Sequence, residues 1–558
     1  VLPALLFMSA ALVQAAAAAE QVFELRLNPE AQHQTIEGWG TCLIFWDLAN
    51  TPYQSPAWRK AFREAGCNIL RIDMKKDVLV ASGGHLADPV TLSDDLDANV
   101  KLMNFDNPKA AVFGRMAFWL SKNALEPERV RIVGSVWSPP HWMKGPTGNR
   151  QSWVGPGGEA KRPTPWLSNE RDGDSIGGRL LQTPENLRQF ARYLAAWVTG
   201  FERRFGTPIH ALSIQNEITF ENPFDSCTYE LGPNGETGQH WQYAAALKAV
   251  TDEFTRLHLT AKFKGPHMAQ IGPTPQNPWG LMHQLAFIKA VKDFKDDPRL
   301  IDQLDFYNCN DYMAVSEDAV KAWAGYHHGK KSVPAEWAHW LEVPGVRGDG
   351  KPIWISEAGG ESADWLNDGK PSGAAVAVAL KMLNALVFAD AAAYIYWQMS
   401  DTSPQVSSHV LLGTRHFQTP TESYKYCAFK QVARHIRPGA RRLDALLAVP
   451  GSTRAAGVPS ILGRSPYDTE HGLSVAAFHH AQDRTLTLLV FNLTDQSHVL
   501  QWTEPAALPT AQLAVYRTSP TEKYVQAEPV RPEAGRCTYT APPMSVSTLT
   551  GTVGQAGP

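Results

Sequence analysis

The sequence predicts a (β/α)8 TIM barrel with an appended antiparallel β-sandwich. Three observations carry that expectation. Eight short apolar runs alternate with helical stretches through residues 34–435, the helical period is lost from about residue 440 onward, and two of the apolar runs end on a glutamate. Repeated β-α units of this number close into a parallel barrel, and the C-terminal tips of such strands are where catalysis sits. A chain of 558 residues is also too long for one ordinary core, so a large and a small domain are expected.

Residues 1–19 carry no charge, and Ala17-Ala18-Ala19 offers a small-residue cleavage site. They read as a secretory signal peptide, which places the protein outside the cytoplasm, secreted or periplasmic. A stretch of about 18 apolar residues can also anchor in a bilayer, but the Ala-rich end and Gln14 favour cleavage, and no membrane span is expected after it. Residues 20–33 contain Val22-Phe-Glu-Leu-Arg-Leu27, which alternates apolar and polar as a half-exposed strand does. This strand precedes the barrel and is expected to pair into the sandwich of residues 436–558, clasping the two domains.

The barrel strands are read at 35–43, 68–73, 130–137, 208–217, 262–267, 301–307, 353–357 and 391–397, with helices at 56–66, 108–125, 184–204, 239–257, 281–296 and 372–389. Two connections, 143–183 with Trp153 and Trp166 and 313–350 with Trp323, Trp337 and Trp340, are too long for simple turns. Both follow strand tips, so they should shape a substrate cleft. Beyond 440, the runs 472–478, 485–491, 499–502 and 512–516, separated by turn residues, have the pattern of an antiparallel sandwich.

Composition narrows the function. With 52 basic and 55 acidic residues, a net charge of −3 and no basic stripe, nucleic acid is excluded as a partner. Core packing explains many of the 18 Trp, but Trp at loop positions is also what sugar rings stack on. The six cysteines, Cys42, Cys67, Cys227, Cys309, Cys427 and Cys537, form no C-x-x-C pair, which argues against a zinc or redox centre; whether any of them pair is open. His327-His328 and His479-His480 are adjacent pairs, and neighbouring side chains on a strand face opposite ways. No metal and no cofactor are expected.

The chemistry lies in two strand tips. Pro208-Ile-His-Ala-Leu-Ser-Ile-Gln-Asn-Glu217 and Pro352-Ile-Trp-Ile-Ser-Glu357 are apolar strands that each deliver a carboxylate. A lone Glu is ordinarily a solvated surface charge. Two at barrel tips suit cleavage of a glycosidic bond, where one carboxyl protonates the leaving oxygen and the other attacks the anomeric carbon from about 5–5.5 Å away. Glu217 is read as acid/base and Glu357 as nucleophile. The Asn-Glu at 169–170 lies in a polar loop with no strand before it and is set aside. Arg71, near the end of the second strand beside Asp73, either holds Glu357 ionised or makes a structural ion pair. Trp397 either floors the sugar site or packs in the barrel core.

Several stretches resemble glycoside hydrolase family 30 of the clan A retaining β-glycosidases. They are Ile36-Glu-Gly-Trp-Gly-Thr-Cys-Leu43, Trp137-Ser-Pro-Pro-His-Trp-Met-Lys144, Leu212-Ser-Ile-Gln-Asn-Glu217 and Tyr424-Lys-Tyr-Cys-Ala-Phe-Lys-Gln-Val-Ala-Arg-His-Ile-Arg-Pro-Gly439. The resemblance implies a barrel with a side sandwich built from both chain ends, and retention of configuration. It implies that Asn216 binds the sugar 2-hydroxyl, that Arg71, Trp137 and Trp397 line the −1 subsite, with Trp142 in the same motif, and that Tyr312 contacts the nucleophile. Two positions depart from the family pattern: Ile218 stands where Pro often follows the acid/base, and Asn310 where strand six often carries His. These leave the sugar and linkage open. The expected substrate is a β-linked polysaccharide or oligosaccharide and the expected state a monomer. Rivals are a catalytically silent glycan-binding protein and a transglycosylase of the same fold. Arg415 either supplies a basic group at the cleft or is a surface arginine.

Overall fold

The computed structural model describes residues 21–43, 55–79, 89–145, 153–154, 160–161, 175, 177–219, 225–229, 240–268, 280–312, 349–359, 366–367, 370–371, 374–401, 404–407, 409–418, 422–448, 467–468, 473–492 and 496–554. The expected signal peptide, the Asn169-Glu170 pair, His327-His328 and the side chains of Trp153, Trp166, Trp323, Trp337 and Trp340 lie outside the described residues.

After β1 (Gln21–Thr35), the strands β2 (Gly38–Leu43), β3 (Ile69–Asp73), β4 (Arg131–Ser135), β5 (Ala211–Ser213), β6 (Lys262–Lys264), β7 (Leu304–Asp311), β8 (Ile353–Ala358) and β9 (Ala391–Gln398) follow. β2 to β9 pair in parallel in chain order and close through β9 and β2. All eight expected barrel strands are therefore present. β5 is shorter than the sequence suggests, so Gln215, Asn216 and Glu217 lie just past its end.

The helices between them start and stop where the chemistry of their ends dictates. In α1 (Pro56–Glu64) the Ser55 hydroxyl accepts from the Trp58 amide, and Pro56 occupies the first turn, where its missing N–H costs nothing. Next come α2 (Pro108–Asn123) and α3 (Pro184–Phe205). α3 is capped by Thr183 and ends at Gly206, whose φ of +65° is left-handed and suits glycine. Phe190, Tyr193, Leu194, Trp197, Phe201 and Phe205 recur every three or four residues and are buried, each worth about 1.5–3 kcal/mol. Thr183→Ala removes the cap and should cost about 1 kcal/mol. Further along are α4 (Trp241–Arg256), α5 (Gly280–Lys292), α6 (Ala374–Phe388) and α7 (Tyr424–Ala433).

Strand alternation sorts the barrel core into two parts. Leu70, Ile72, Ile132, Leu212, Tyr307, Cys309, Ile353 and Ile355 join the outer core shared with the helices. Cys42, Ile69, Val133, Trp137, Ala211, Phe306, Trp354, Ala393, Ile395 and Trp397 form a separate interior cluster. Phe306 and Trp354 stack there with centroids 4.3 Å apart. At Gly40 a Cβ would meet the Ile69 carbonyl oxygen at 2.1 Å, so β2 and β3 can approach this closely only with glycine there.

The second domain holds β10 (Arg441–Ala448), β11 (Leu473–His480), β12 (Thr485–Asn492), β13 (His498–Thr503), β14 (Leu513–Ser519), β15 (Glu522–Val530), β16 (Arg536–Ala541) and β17 (Ser545–Thr552). Their hydrogen-bonded order is β15-β14-β17-β12-β11-β10-β1-β13-β16, wrapped around a core that includes Phe23, Leu25, Leu488, Leu500 and Trp502. The N-terminal strand thus enters this sheet. It runs antiparallel to β10 but parallel to β13, the one departure from antiparallel pairing in that path. α7 packs the sheet onto the barrel: Gln431 donates to Thr518 Oγ1 at 2.9 Å, the Tyr424 hydroxyl donates to the Pro520 carbonyl at 2.8 Å, and His435 stacks on Tyr516. All six cysteines are buried, and no two of them form a disulfide.

Candidate active site

The site is assembled around Arg71. Leu70 and Ile72 pack outward from β3, so Arg71 between them points into the barrel and is fully buried. Burying a guanidinium is costly unless its donors are used, and here they are. Nη1 donates to Glu357 Oε2 and, at 3.3 Å, to Cys42 Sγ. Nη2 donates to Asn216 Oδ1 at 2.6 Å, and Nε to Ser135 Oγ at 3.1 Å. The flat cation also lies 4.5 Å from the centre of the Trp137 ring. Burial pushes the Cys42 thiol up to about 12 despite the adjacent Arg71 charge, so it stays a neutral acceptor.

Glu357 reaches the interior through an irregularity in its strand. The pairing of β8 slips against β7 between Cys309 and Asn310 and against β9 between Ile355 and Ala358. This extra residue breaks the two-residue alternation. Ser356 and Glu357, although consecutive, both touch interior groups. The other Glu357 oxygen, Oε1, accepts from the Tyr312 hydroxyl at 2.5 Å. Burial, reinforced by the Glu357 charge, holds the Tyr312 phenol well above its usual range, so it remains a donor. One oxygen of Glu357 therefore meets a permanent cation and the other a neutral phenol.

Glu217 is held differently. It sits past the end of β5 with φ +46°, a left-handed conformation uncommon outside glycine. The following amide, of Ile218, donates to the His267 carbonyl at 3.1 Å, and the Tyr229 amide donates to the Ile218 carbonyl at 3.0 Å, fixing the turn from both sides. Asn310 Nδ2 donates to Glu217 Oε1 at 3.1 Å. Phe306, Asn308, Asn310 and Tyr312 are spaced by two along and just beyond β7, so one strand face supplies partners to both carboxylates.

Of the residues singled out from the sequence, Arg71, Asn216, Tyr312 and Glu357 form one hydrogen-bonded network, while Glu217, next to Asn216 in the chain, is hydrogen-bonded by Asn310. Trp137 and Trp397 lie beside that network, with ring centroids 6.1 Å apart and planes tilted at 48°, and Tyr312 packs against the same interior cluster. Trp142 does not join them. It is half-buried, edge-on to His141, and packs against the outer core. Asp73 turns to Lys75 at 3.3 Å rather than to the carboxylates, and burial, opposed by Lys75, raises its carboxyl to about 6. Arg415 is exposed on a short helix, Arg415–Gln418. His480 is tied to the Pro438 carbonyl at 2.8 Å, and among the described residues no His, Cys, Asp or Glu group is arranged to hold a metal.

Sequence reasoning missed the polar floor beneath the pair. Ser135 Oγ gathers Arg71 Nε, Ser213 Oγ at 3.0 Å and Lys264 Nζ at 3.3 Å. Burial, then the Arg71 charge, drives the Lys264 amine well below its usual range. Ser135 and Ser213 lie two residues after the inward Val133 and Ala211, the sequence signal that marks them; Lys264 has none. A groove of about 1120 Å³ lies in the second domain, away from these residues, lined among others by Arg517, Glu528, Arg531 and Glu533.

No family model and no curated protein sequence matches the chain. Solved structures do match its fold. A family 30 endoxylanase from Clostridium papyrosolvens C71 superposes with a TM-score of 0.60 at 15% identity, over 95% of this chain and 100% of that one. The catalytic domain of a family 30 xylanase C from Talaromyces cellulolyticus gives 0.61 at 15%, over 96% and 100%. A conserved exported protein from Bacteroides fragilis gives 0.61 at 14%, over 95% and 100%. At these identities the likeness speaks for architecture: the chain has the barrel-plus-sandwich fold of the glycoside hydrolase family 30 enzymes.

Proposed function

We propose that the protein is a retaining β-glycoside hydrolase acting on a β-linked polysaccharide or oligosaccharide. The observation that carries this is the bridging guanidinium. Arg71 binds Glu357 with one terminal nitrogen and Asn216, the neighbour of Glu217, with the other. One buried cation thus ties the proposed nucleophile to the residue that precedes the proposed acid/base, which supports a defined spacing of the pair, the parameter on which retention depends.

In the first step Glu357 attacks the anomeric carbon while Glu217 gives its proton to the departing glycosidic oxygen, leaving a glycosyl ester on Glu357. In the second, Glu217 takes a proton from water, the water oxygen attacks the anomeric carbon, and the ester bond to Glu357 breaks. Arg71 and Tyr312 favour the ionised nucleophile and accept it back when it leaves. Asn216 holds the sugar 2-hydroxyl, and Trp137 and Trp397 wall the subsite. The reaction needs no metal or cofactor. The uncharged residues 1–19 direct export, so the substrate is met outside the cytoplasm, by a monomer.

Product analysis on a panel of β-linked polysaccharides tests this, with Glu357→Gln as the blank. Discrete oligosaccharides with β-configured new reducing ends support the reading. Inverted products would remove the double displacement, products longer than the substrate would make the protein a transglycosylase, and tight binding without products would make it a glycan-binding protein.

A further inference from the structure

Resting on the proposed role of Glu217, we infer that His267, past the end of β6, is a positioning residue that locks the Asn310 amide with its N–H toward Glu217 and so favours the base form of that carboxyl. His267 is fully buried. Its Nε2 lies 2.6 Å from Asn310 Oδ1 and 3.0 Å from Ser356 Oγ, while its Nδ1 has no hydrogen-bond partner among the described residues. A neutral imidazole has one N–H to place. Here Nε2 is the nitrogen with polar neighbours, so the proton belongs there and is donated to Asn310 Oδ1. Burial, with the Lys264 and Arg71 charges adding to it, holds His267 well below its ordinary range, so it stays neutral at working pH.

The surrounding hydrogen bonds fit that tautomer. Ser356 Oγ accepts from Asn308 Nδ2 at 3.0 Å and gives its own proton to the Cys309 carbonyl at 3.2 Å or to Asn310 Oδ1 at 3.3 Å. With Oδ1 taken by these donors, Asn310 can present only Nδ2 to Glu217, at 3.1 Å. The His267 carbonyl meanwhile accepts from the Ile218 amide, so one residue sets both the backbone turn and the side-chain environment of Glu217. The charged and titratable groups around this chain are Lys264 on β6, Arg71 on β3, Glu357 on β8 and Tyr312 after β7.

A neutral amide N–H bonds a carboxylate more strongly than a carboxylic acid. The relay therefore helps Glu217 act as base on water and works against its protonated form in the free enzyme. If His267 no longer fixes Oδ1, the amide can turn and present an acceptor, and that preference reverses.

The test needs no substrate at its first stage. In full-length protein carrying ¹⁵N-labelled histidine, the His267 ring signal, assigned by its loss in His267→Gln, should show a protonated Nε2 and a bare Nδ1 from pH 4 to 9. A proton on Nδ1, or titration in that range, overturns the inference. In protein labelled with ¹³C at the glutamate carboxyls, with Glu217 assigned by Glu217→Gln, His267→Phe should raise the Glu217 titration midpoint by roughly one pH unit. Asn310→Asp should raise it by at least as much through like charge, whereas His267→Gln, which restores an N–H donor, should leave it within about 0.3 units of the parent. Unchanged midpoints in folded His267→Phe and Asn310→Asp overturn it. If glycosides are cleaved, the alkaline limb of kcat/KM should move with the same variants. Absence of cleavage with these shifts intact would sink the proposed function and leave the relay standing.

Discussion

The two carboxylates sit near the C-terminal ends of β5 and β8, which are not adjacent in the barrel, and the protein holds them by opposite means. Glu357 is gripped by charge, with the Arg71 guanidinium on one oxygen and the Tyr312 phenol on the other. Glu217 is gripped by a strained backbone turn and a neutral amide, itself backed by a neutral imidazole. The difference matches the two tasks that the proposed mechanism assigns. A carboxylate that must attack and depart as an anion benefits from a permanent cation, whereas one that must take and lose a proton each turnover would be frozen by it.

That contrast can be broken from either side. Glu357→Gln should abolish turnover, by about 10⁴-fold or more on any substrate, with the folded state intact by circular dichroism; residual activity at the parent level would remove Glu357 as nucleophile. Glu217→Ala should cost about 10²–10⁴-fold on natural glycosides but far less on activated aryl glycosides, whose leaving groups need little protonation. Equal losses on both would contradict the acid role.

Arg71→Leu tests whether one cation serves both halves. It leaves Glu357 buried without its counter-charge, so thermal unfolding should show about 3–5 kcal/mol of lost stability alongside lost activity. Stability equal to the parent would mean the pair is not coupled as its contacts imply. Tyr312→Phe removes one hydrogen bond to an ion and should lower kcat by about 10–100-fold with little change in melting; an unchanged kcat would restrict Tyr312 to packing.

The smallest effect expected lies outside the site, at the seam between domains. Burial, aided by the Arg434 charge, lowers the His435 imidazole to about 3, where it stacks on Tyr516 and lies 2.6 Å from the Tyr524 hydroxyl. A histidine whose folded pKa lies below its unfolded value near 6.5 contributes stability above that value and loses it as pH falls toward the folded one. Denaturant midpoints should therefore decline from about pH 6.5 downward, and His435→Phe should flatten that decline. An equal slope in the variant would assign the acid loss to other groups.

How far the sequence reveals these features depends on what kind of information each needs. The eight barrel strands are legible because apolar runs alternate with helices that carry their own caps, such as Thr183 and Gly206. Glu217 and Glu357 are legible because a carboxylate ending an apolar strand is unusual. β15 and β16 are not, since Glu522–Val530 is largely exposed, contains Pro529 and lacks a continuous apolar face. Lys264, His267 and Ser356 are hidden for a different reason. Which face of a barrel strand a polar residue occupies is set by register, and the slip in β8 that turns both Ser356 and Glu357 inward leaves no mark in residue type. Trp142 shows the converse: a motif residue that the fold sends to the outer core.

The entry of β1 into the distal sheet also governs how the protein is made. Glu24 pairs with Ala448, and Val22 with Val499, so a strand made before the barrel waits for segments made after it before it has a partner. Loop closure of that length is slow, and it ties completion of the sheet to β10 and β13 having emerged. β1 is also the sole link in the pairing path between β10 and β13. A protease that trimmed the first fifteen or so described residues would therefore remove the strand that hydrogen-bonds the β13–β16 pair to the rest of the sheet, so a cut before the barrel would weaken the domain that follows it.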